Sequence, residues 1–217
     1  MDKKFFKQLI SYSDFPVVME VGAADGIDTA EFLKEFSDLP GASFYCIEPD
    51  KRNLSVFRST INDPRVKLFE GVIGDVDGVV DFYTSTKNPH TGQEFIYSSS
   101  LRRPGKALFE TWPMFIDEET CFEPGKVVSW TLDTLCQEQG IHFVDLIYMD
   151  VQGCEDLFIR GGQKMLDKSV HFVYTEYNDN EIYVGEPTKD KILGMLPHYS
   201  VLADFGTDIL LVNNKWE

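Results

Sequence analysis

Basic residues are scarce in this chain. Twenty Lys and Arg stand against 36 Asp and Glu, a net charge of −16 over 217 residues. A surface that acidic repels phosphate backbones and anionic lipid, which argues against nucleic-acid and membrane-surface partners. The short pairs Lys3-Lys4 and Arg102-Arg103 do not offset it. Long apolar runs are also missing: nowhere do about 18 consecutive apolar residues occur, so no spanning helix is expected. No apolar stretch of signal-peptide length follows the N-terminal lysines. Only four cysteines are present, Cys46, Cys121, Cys136 and Cys154, and none forms a C-x-x-C pair. That spacing speaks against a zinc cluster or a thioredoxin-type site. Cys46 and Cys154 fall in strand or helix patterns, where they are expected to pack as small apolar residues. A reducing cytoplasm is the expected compartment.

What is present is enough for a core. Hydrophobic residues make up 43% and aromatics 13%, which excludes a disordered chain. The length fits one α/β domain with an insertion. Short β-rich runs alternate with helical patterns. Strands are expected over 16–21, 43–47, 66–73, 79–84, 126–130, 143–149, 170–176, 199–203 and 209–212. The runs 66–73 and 79–84 flank an Asp77-Gly78 turn and could form a hairpin. Helices are expected over 29–37, from Asp50 as cap to about 61, over 132–139, over 156–166 with a break at Gly161-Gly162, and over 188–196. Alternation of this kind predicts a doubly wound, mostly parallel seven-stranded sheet with helices on both faces. Between 85 and 124 the pattern breaks down, with only 106–111 plausibly helical. A stretch of that length reads as an inserted lid or substrate-binding segment, over 85–125 of a single domain.

In such sheets the ligand lies outside the carboxyl ends of the strands, at the switch point. The first strand ends in Glu20-Val-Gly22-Ala23-Ala-Asp25-Gly26, where small residues allow a sharp turn and close approach to a ligand. The second ends at Glu48-Pro49, and a carboxylate there can accept hydrogen bonds from ribose hydroxyls. A dinucleotide needs G-x-G-x-x-G for its pyrophosphate. Here the second glycine is missing, and Asp25 stands where a diphosphate would lie. The expected guest is therefore a cationic nucleoside, S-adenosylmethionine. The strand over 143–149 ends in Asp150-Val-Gln152-Gly-Cys-Glu155. Asp150 could orient a hydroxyl or accept its proton, and Gln152 offers both a donor and an acceptor. Glu155 stands in a first helical turn, where the macrodipole favours an acid.

At these residues the sequence resembles the FkbM family of methyltransferases. The motifs are EVGAADG, IEP, WTLD, MDVQGCE followed by Gly161-Gly162, and the serine run at 98–100. The resemblance covers about residues 17–213. It implies a class I methyltransferase fold and methylation of a hydroxyl on a sugar, glycan or small metabolite. It places Glu20, Gly22, Ala23, Asp25 and Gly26 around the methionine portion and Glu48 with Pro49 at the ribose. Val72, Ile73 and Gly74 then fall near the adenine, with Ser99, Ser100, Asp150 and Gln152 closing the reaction centre.

Methyl transfer to an alcohol needs alignment and a base. Asp150 is the first candidate base, with Glu155 beside it. His90 is another, because it lies in the irregular segment and an imidazole is a common general base. His142, His171 and His198 sit beside strands and read as structural. Glu176-Tyr177-Asn178 ends a strand at the same face and is a candidate for acceptor contact. Phe95, Tyr97, Trp112 and Phe115 could stack on a sugar or pack the segment down, and Arg102 and Arg103 could bind an anion or stay solvated. Asp150, Glu155 and Glu176 could converge on a metal, yet a cationic cofactor accounts for them without one, and none is expected. The strand-end pattern leaves two other classes open. One is a nicotinamide-dependent oxidoreductase and the other a cofactor-binding module without catalysis.

Overall fold

The computed structural model describes residues 2–216. Ten strands and nine helices are formed by the described residues. The main sheet contains β1 (Val17–Val21), β2 (Ser43–Glu48), β3 (Val66–Glu70), β7 (Val144–Met149), β8 (Val170–Glu176), β9 (Tyr199–Asp204) and β10 (Asp208–Asn213), in the order β3-β2-β1-β7-β8-β10-β9. Neighbours from β3 to β8 are parallel, and β10 runs antiparallel to both β8 and β9. The chain moves outward from β1 to β3 and then returns to place β7 on the other side of β1. This makes the β1/β7 junction the switch point where a ligand crevice opens.

Each face of the sheet is covered by helices, as the strand-helix alternation predicts. Because strand side chains alternate between faces, Val18, Phe44, Cys46 and Leu146 pack with Phe6, Phe32, Phe36 and Phe57. Those aromatics come from α1 (Lys3–Leu9), α2 (Ile27–Glu35 with its cap-side Phe36) and α3 (Lys51–Thr60). Met19, Val21, Ile47, Ile147 and Met149 face the other way. They meet α6 (Leu132–Gln139), α7 (Glu155–Gly161), α8 (Gln163–Lys168) and α9 (Lys189–Met195). The cap at Asp50 forms as expected, its carboxylate accepting from Arg52 N–H at 2.9 Å.

Three expectations are corrected. The run 66–73 is not one strand: it breaks at Gly71, and β4 (Val72–Ile73) leaves the main sheet. A Cβ on Gly71 would stand 2.4 Å from the Val128 carbonyl, so only glycine lets the chain pass there. No hairpin joins this run to β5 (Gly78–Ser85). Instead β5 pairs antiparallel with β6 (Phe122–Trp130), and β4 pairs parallel with it, in a separate three-stranded sheet. The helix α1 is the third difference, since the sequence pattern predicts none ahead of β1; it buries Lys3, Phe6 and Ile10.

Residues 86–121 connect β5 to β6. They carry α4 (Lys106–Thr111), which the sequence anticipates, and the short α5 (Glu118–Cys121). Their own small core holds Phe95, Leu108, Phe115 and Cys121, closed by Ile182 and Tyr183 from beyond β8. All four cysteines are buried and unpaired by disulfides. No helix of the described residues is long and apolar enough to cross a membrane.

Candidate active site

The end of β1 turns through two left-handed residues. Gly22 has φ +88° and Ala24 φ +45°. Gly22 is confined by contact as well as by angle: a Cβ there would lie 1.9 Å from the Asp150 carbonyl oxygen. The two strand ends are tied by Asp150 N–H donating to the Val21 carbonyl at 2.9 Å. Gly22 and Ala23 N–H both donate to the Ile47 carbonyl at 3.0 Å. Three strand ends thus meet at one glycine.

Glu48 ends β2 and is held from several sides. Its Oε2 accepts from Ala24 N–H at 2.9 Å, and its Oε1 accepts from Asp50 N–H at 2.7 Å and Asn53 Nδ2 at 3.4 Å. Burial pushes its carboxyl up to about 7 against those donors. Asn53 is 3% exposed. It also donates from Nδ2 to the Ile96 carbonyl at 2.7 Å, and its Oδ1 has no partner. Asn53 is not among the candidates put forward from the sequence. A signal existed: it shares a helical stripe with Asp50, Leu54 and Phe57, where a polar side chain must face the interior.

At the end of β7 the backbone again turns left-handed, at Gln152 (φ +51°) and Gly153 (φ +81°). Such a conformation costs a non-glycine residue about 1–2 kcal/mol, so Gln152 is held there by its contacts. Its Nε2 donates to Asp150 Oδ1 at 2.6 Å, and the Tyr183 hydroxyl lies 2.9 Å from its Oε1. Ser100 Oγ donates to its carbonyl at 2.8 Å. The 86–121 connection is thereby pinned to the strand end. Asp150, Glu155 and Glu176 stand close enough to influence one another. Burial, reinforced by Asp208 and Asp28, raises Asp150; burial, reinforced by the Asp150 charge, brings Glu155 and Glu176 to about 8.

Two cavities meet here. The first is the crevice over β1, β2 and β7. Of the residues the sequence put forward, it is lined by Gly22, Glu48, Pro49, Val72, Ile73, Ser99, Ser100, Asp150 and Gln152. The second is a groove beyond it, lined by Glu155 and Glu176-Tyr177-Asn178 and by the aromatics Phe95, Tyr97, Trp112 and Phe115. Ile96, Tyr97 and Gln152 line both, so the two adjoin.

Several sequence candidates lie elsewhere. Glu20 shares the sheet face of Val18, not the strand end. It is buried beneath α2, accepting from Thr29 Oγ1 at 2.5 Å, and burial lifts its carboxyl to about 8. Ala23 is packed in the core of that face. Asp25 is at the rim, accepting from the Tyr97 hydroxyl at 2.9 Å. Gly26 (φ +86°) makes room for α3: a Cβ would meet Phe57 at 2.8 Å. The Gly74 carbonyl faces Gly161, whose Cβ would approach it to 2.0 Å. His90 is exposed in a turn closed by Asn88 and lines neither cavity. Arg102 and Arg103 are not free for an anion. Arg102 donates to Asp156 at 2.6 Å and to the Val184 carbonyl at 3.0 Å, and Arg103 grips Glu118 with two bonds of 2.8 Å. His171 is stacked between Phe172 and Trp216, and His198 pairs with Asp167 at 3.3 Å.

Comparison with known proteins gives the same family as the motifs. The Methyltransferase FkbM domain matches residues 20–202. The 2-O-methyltransferase NoeI of Sinorhizobium fredii is 36% identical over 220 residues, covering 98% of this chain and 86% of that protein. The crystal structure of Methyltransferase FkbM from Methylobacillus flagellatus KT aligns with a TM-score of 0.55 at 15% identity, over 98% of this chain and 48% of that one. This chain therefore spans about half of that protein, and the likeness shows the class I methyltransferase fold. The N-terminal domain of EvdMO1 with SAH bound gives a TM-score of 0.48 at 13% identity, over 97% of this chain and 78% of that one. A family match across most of the chain, with a curated relative above one-third identity along nearly all of it, shows that this chain belongs to the FkbM family of methyltransferases.

Proposed function

We propose that the crevice binds S-adenosylmethionine and that the adjoining groove presents a sugar hydroxyl to it. The adjacency of the two cavities, with Gln152 in the lining of both, carries this reading. The crevice suits the cofactor chemically. No Lys, Arg or His lines it, which fits a cationic nucleoside and opposes a diphosphate. The N–H donors around Glu48 occupy both lone pairs of its Oε1 and one of Oε2, so one on Oε2 remains for a ribose hydroxyl. Gly71, Val72 and Ile73 offer a flat apolar wall for the base. The buried, unpartnered Asn53 Oδ1 awaits a donor, which a nucleoside supplies.

When bound, the cofactor supplies an electrophilic methyl on a sulfonium. The protein's work is then alignment and proton removal. Gln152 fixes Asp150 through its amide, and burial makes the Asp150 carboxyl more basic than a solvated one. Asp150 is the group that takes the hydroxyl proton. Trp112, 40% exposed, and Tyr177 give the groove aromatic faces for the apolar side of a sugar ring. Residues 86–121 act as the lid, fastened by Ser100, Tyr97 and Arg102. The identity of the NoeI relative as a 2-O-methyltransferase supports a hydroxyl acceptor.

The test begins with S-adenosylhomocysteine. At 100 times its Kd it should stabilise the protein by about 2.7 kcal/mol, a rise in Tm of roughly 5–10 °C for a chain of this size. No shift at millimolar ligand sinks the cofactor assignment. Asp150→Asn should then cut turnover by roughly 10²–10⁴-fold while leaving S-adenosylhomocysteine affinity nearly intact. Equal losses in both would make Asp150 a binding residue. Asn53→Ala should weaken S-adenosylhomocysteine by about 1–2 kcal/mol, the worth of a hydrogen bond in a buried site. The cofactor-free Tm should fall as well, because the Ile96 carbonyl and Glu48 lose a buried donor, so affinity is measured well below the variant's Tm. Calorimetry reads both quantities, and unchanged affinity removes Asn53 from the binding set.

A further inference from the structure

The charge of the groove is one-sided. Four carboxyl groups line it, from Glu94, Glu155, Glu176 and Glu186, and among its lining residues there is no Lys, Arg or His. Glu155 is 3% exposed, lines the groove and forms no hydrogen bond or ion pair with another side chain among the described residues. Glu176 likewise has no cationic partner there; the charges that act on it are Asp150, Asp208 and Glu155. Arg102, whose charge reaches Glu186, does not line the groove and is paired with Asp156 and the Val184 carbonyl. The aromatic side chains of Trp112 and Tyr97 line the same groove.

We infer that the acceptor is a phosphate-free glycoside, so that methylation follows the glycosyl transfer that removes the sugar from its nucleotide. The inference rests on the reading of this groove as the acceptor site. A phosphate on the anomeric carbon stays within one ring's width of every hydroxyl on that ring. Once a hydroxyl reaches Gln152, such a phosphate is inside the groove with the four acids. Two like charges about 5 Å apart at an effective dielectric near 20 repel by an amount equal to roughly 300-fold in affinity. No lining cation offsets it. A neutral glycoside meets no such barrier: the carboxyls accept its remaining hydroxyls and the aromatic wall takes its C–H face.

The experiment uses labelled S-adenosylmethionine at pH 8.5 and a panel of hexoses and 6-deoxyhexoses. Each sugar is supplied as its methyl glycoside and as its nucleoside-diphosphate derivative. The glycoside of the accepted sugar should be favoured at least tenfold in kcat/KM. Raising the salt should shrink the preference, because screening weakens like-charge repulsion. Glu186→Gln should shrink it too. An equal or reversed preference overturns the inference and leaves the methyltransferase site standing. A preference that ignores both salt and Glu186→Gln overturns the electrostatic cause. If S-adenosylhomocysteine binds but no sugar in either form is methylated, the acceptor reading fails and takes the inference with it.

Discussion

Gly22→Ala should abolish cofactor binding and lower the Tm by roughly 10 °C. Two costs add. At φ +88° an L-residue loses about 1–2 kcal/mol to backbone strain. The new Cβ would also stand 1.9 Å from the Asp150 carbonyl oxygen, far inside contact distance. Both sides of that clash are fixed by main chain, so no rotamer relieves it. β1 and β7 must part at their carboxyl ends, which strains the Asp150 N–H to Val21 bond and displaces the crevice floor. A total of about 3–5 kcal/mol belongs to the severe class of single substitutions. At roughly 2–4 °C per kcal/mol for this chain length, that gives the stated shift. Gly206 is the control. It has φ +94°, and a Cβ there would meet nothing within 4 Å, so Gly206→Ala carries the strain alone. Thermal melts of the two variants separate the terms, and equal losses would show that close approach of the strands contributes nothing.

The same glycine shows why much of this site is legible in the amino-acid sequence. Strand-end positions follow from apolar runs, and the fold rule says what the ends must do. Glu48, Asp150 and Gln152 are reachable that way. Glu20 is not, because it is one residue short of the end and its face is decided by alternation with Val18. The supporting detail is tertiary. Gly71 looks like an ordinary strand residue until the Val128 carbonyl passes 2.4 Å from its missing Cβ. The three-stranded sheet rests on that break, on the two-residue β4 and on the distant β6, which no local pattern links. The 86–121 connection lacks periodicity because its core is borrowed from Ile182 and Tyr183. His90 follows from chemistry without position, and an Asn88 turn holds it at the surface.

The affinity for S-adenosylmethionine should climb by at least tenfold between pH 6 and 8, while that for S-adenosylhomocysteine climbs less. Burial raises the carboxyls of Glu155 and Glu176 to about 8 and that of Glu48 to about 7, and it raises Asp150 as well. Below pH 7 the free site therefore retains protons that solvated acids would have lost. A sulfonium favours the ionised carboxyls, so its binding expels protons and strengthens as pH rises toward 8; each proton released contributes up to tenfold per pH unit. Both ligands carry the same ammonium, so the ratio of their affinities isolates the sulfonium. The cofactor-free protein should respond with the opposite sign. Acids whose folded values are raised bind more protons folded than unfolded, so their contribution to stability falls as pH rises from about 4.5 to 8. Salt-bridged acids such as Asp63 and Asp156 are lowered and already ionised in both states above pH 6, so they add no slope there. Melts should thus show a falling baseline Tm and a growing increment from S-adenosylmethionine across one pH series. If the ratio of the two affinities stays flat across that series, the carboxyls do not face the sulfonium, and the acidic crevice has another cause.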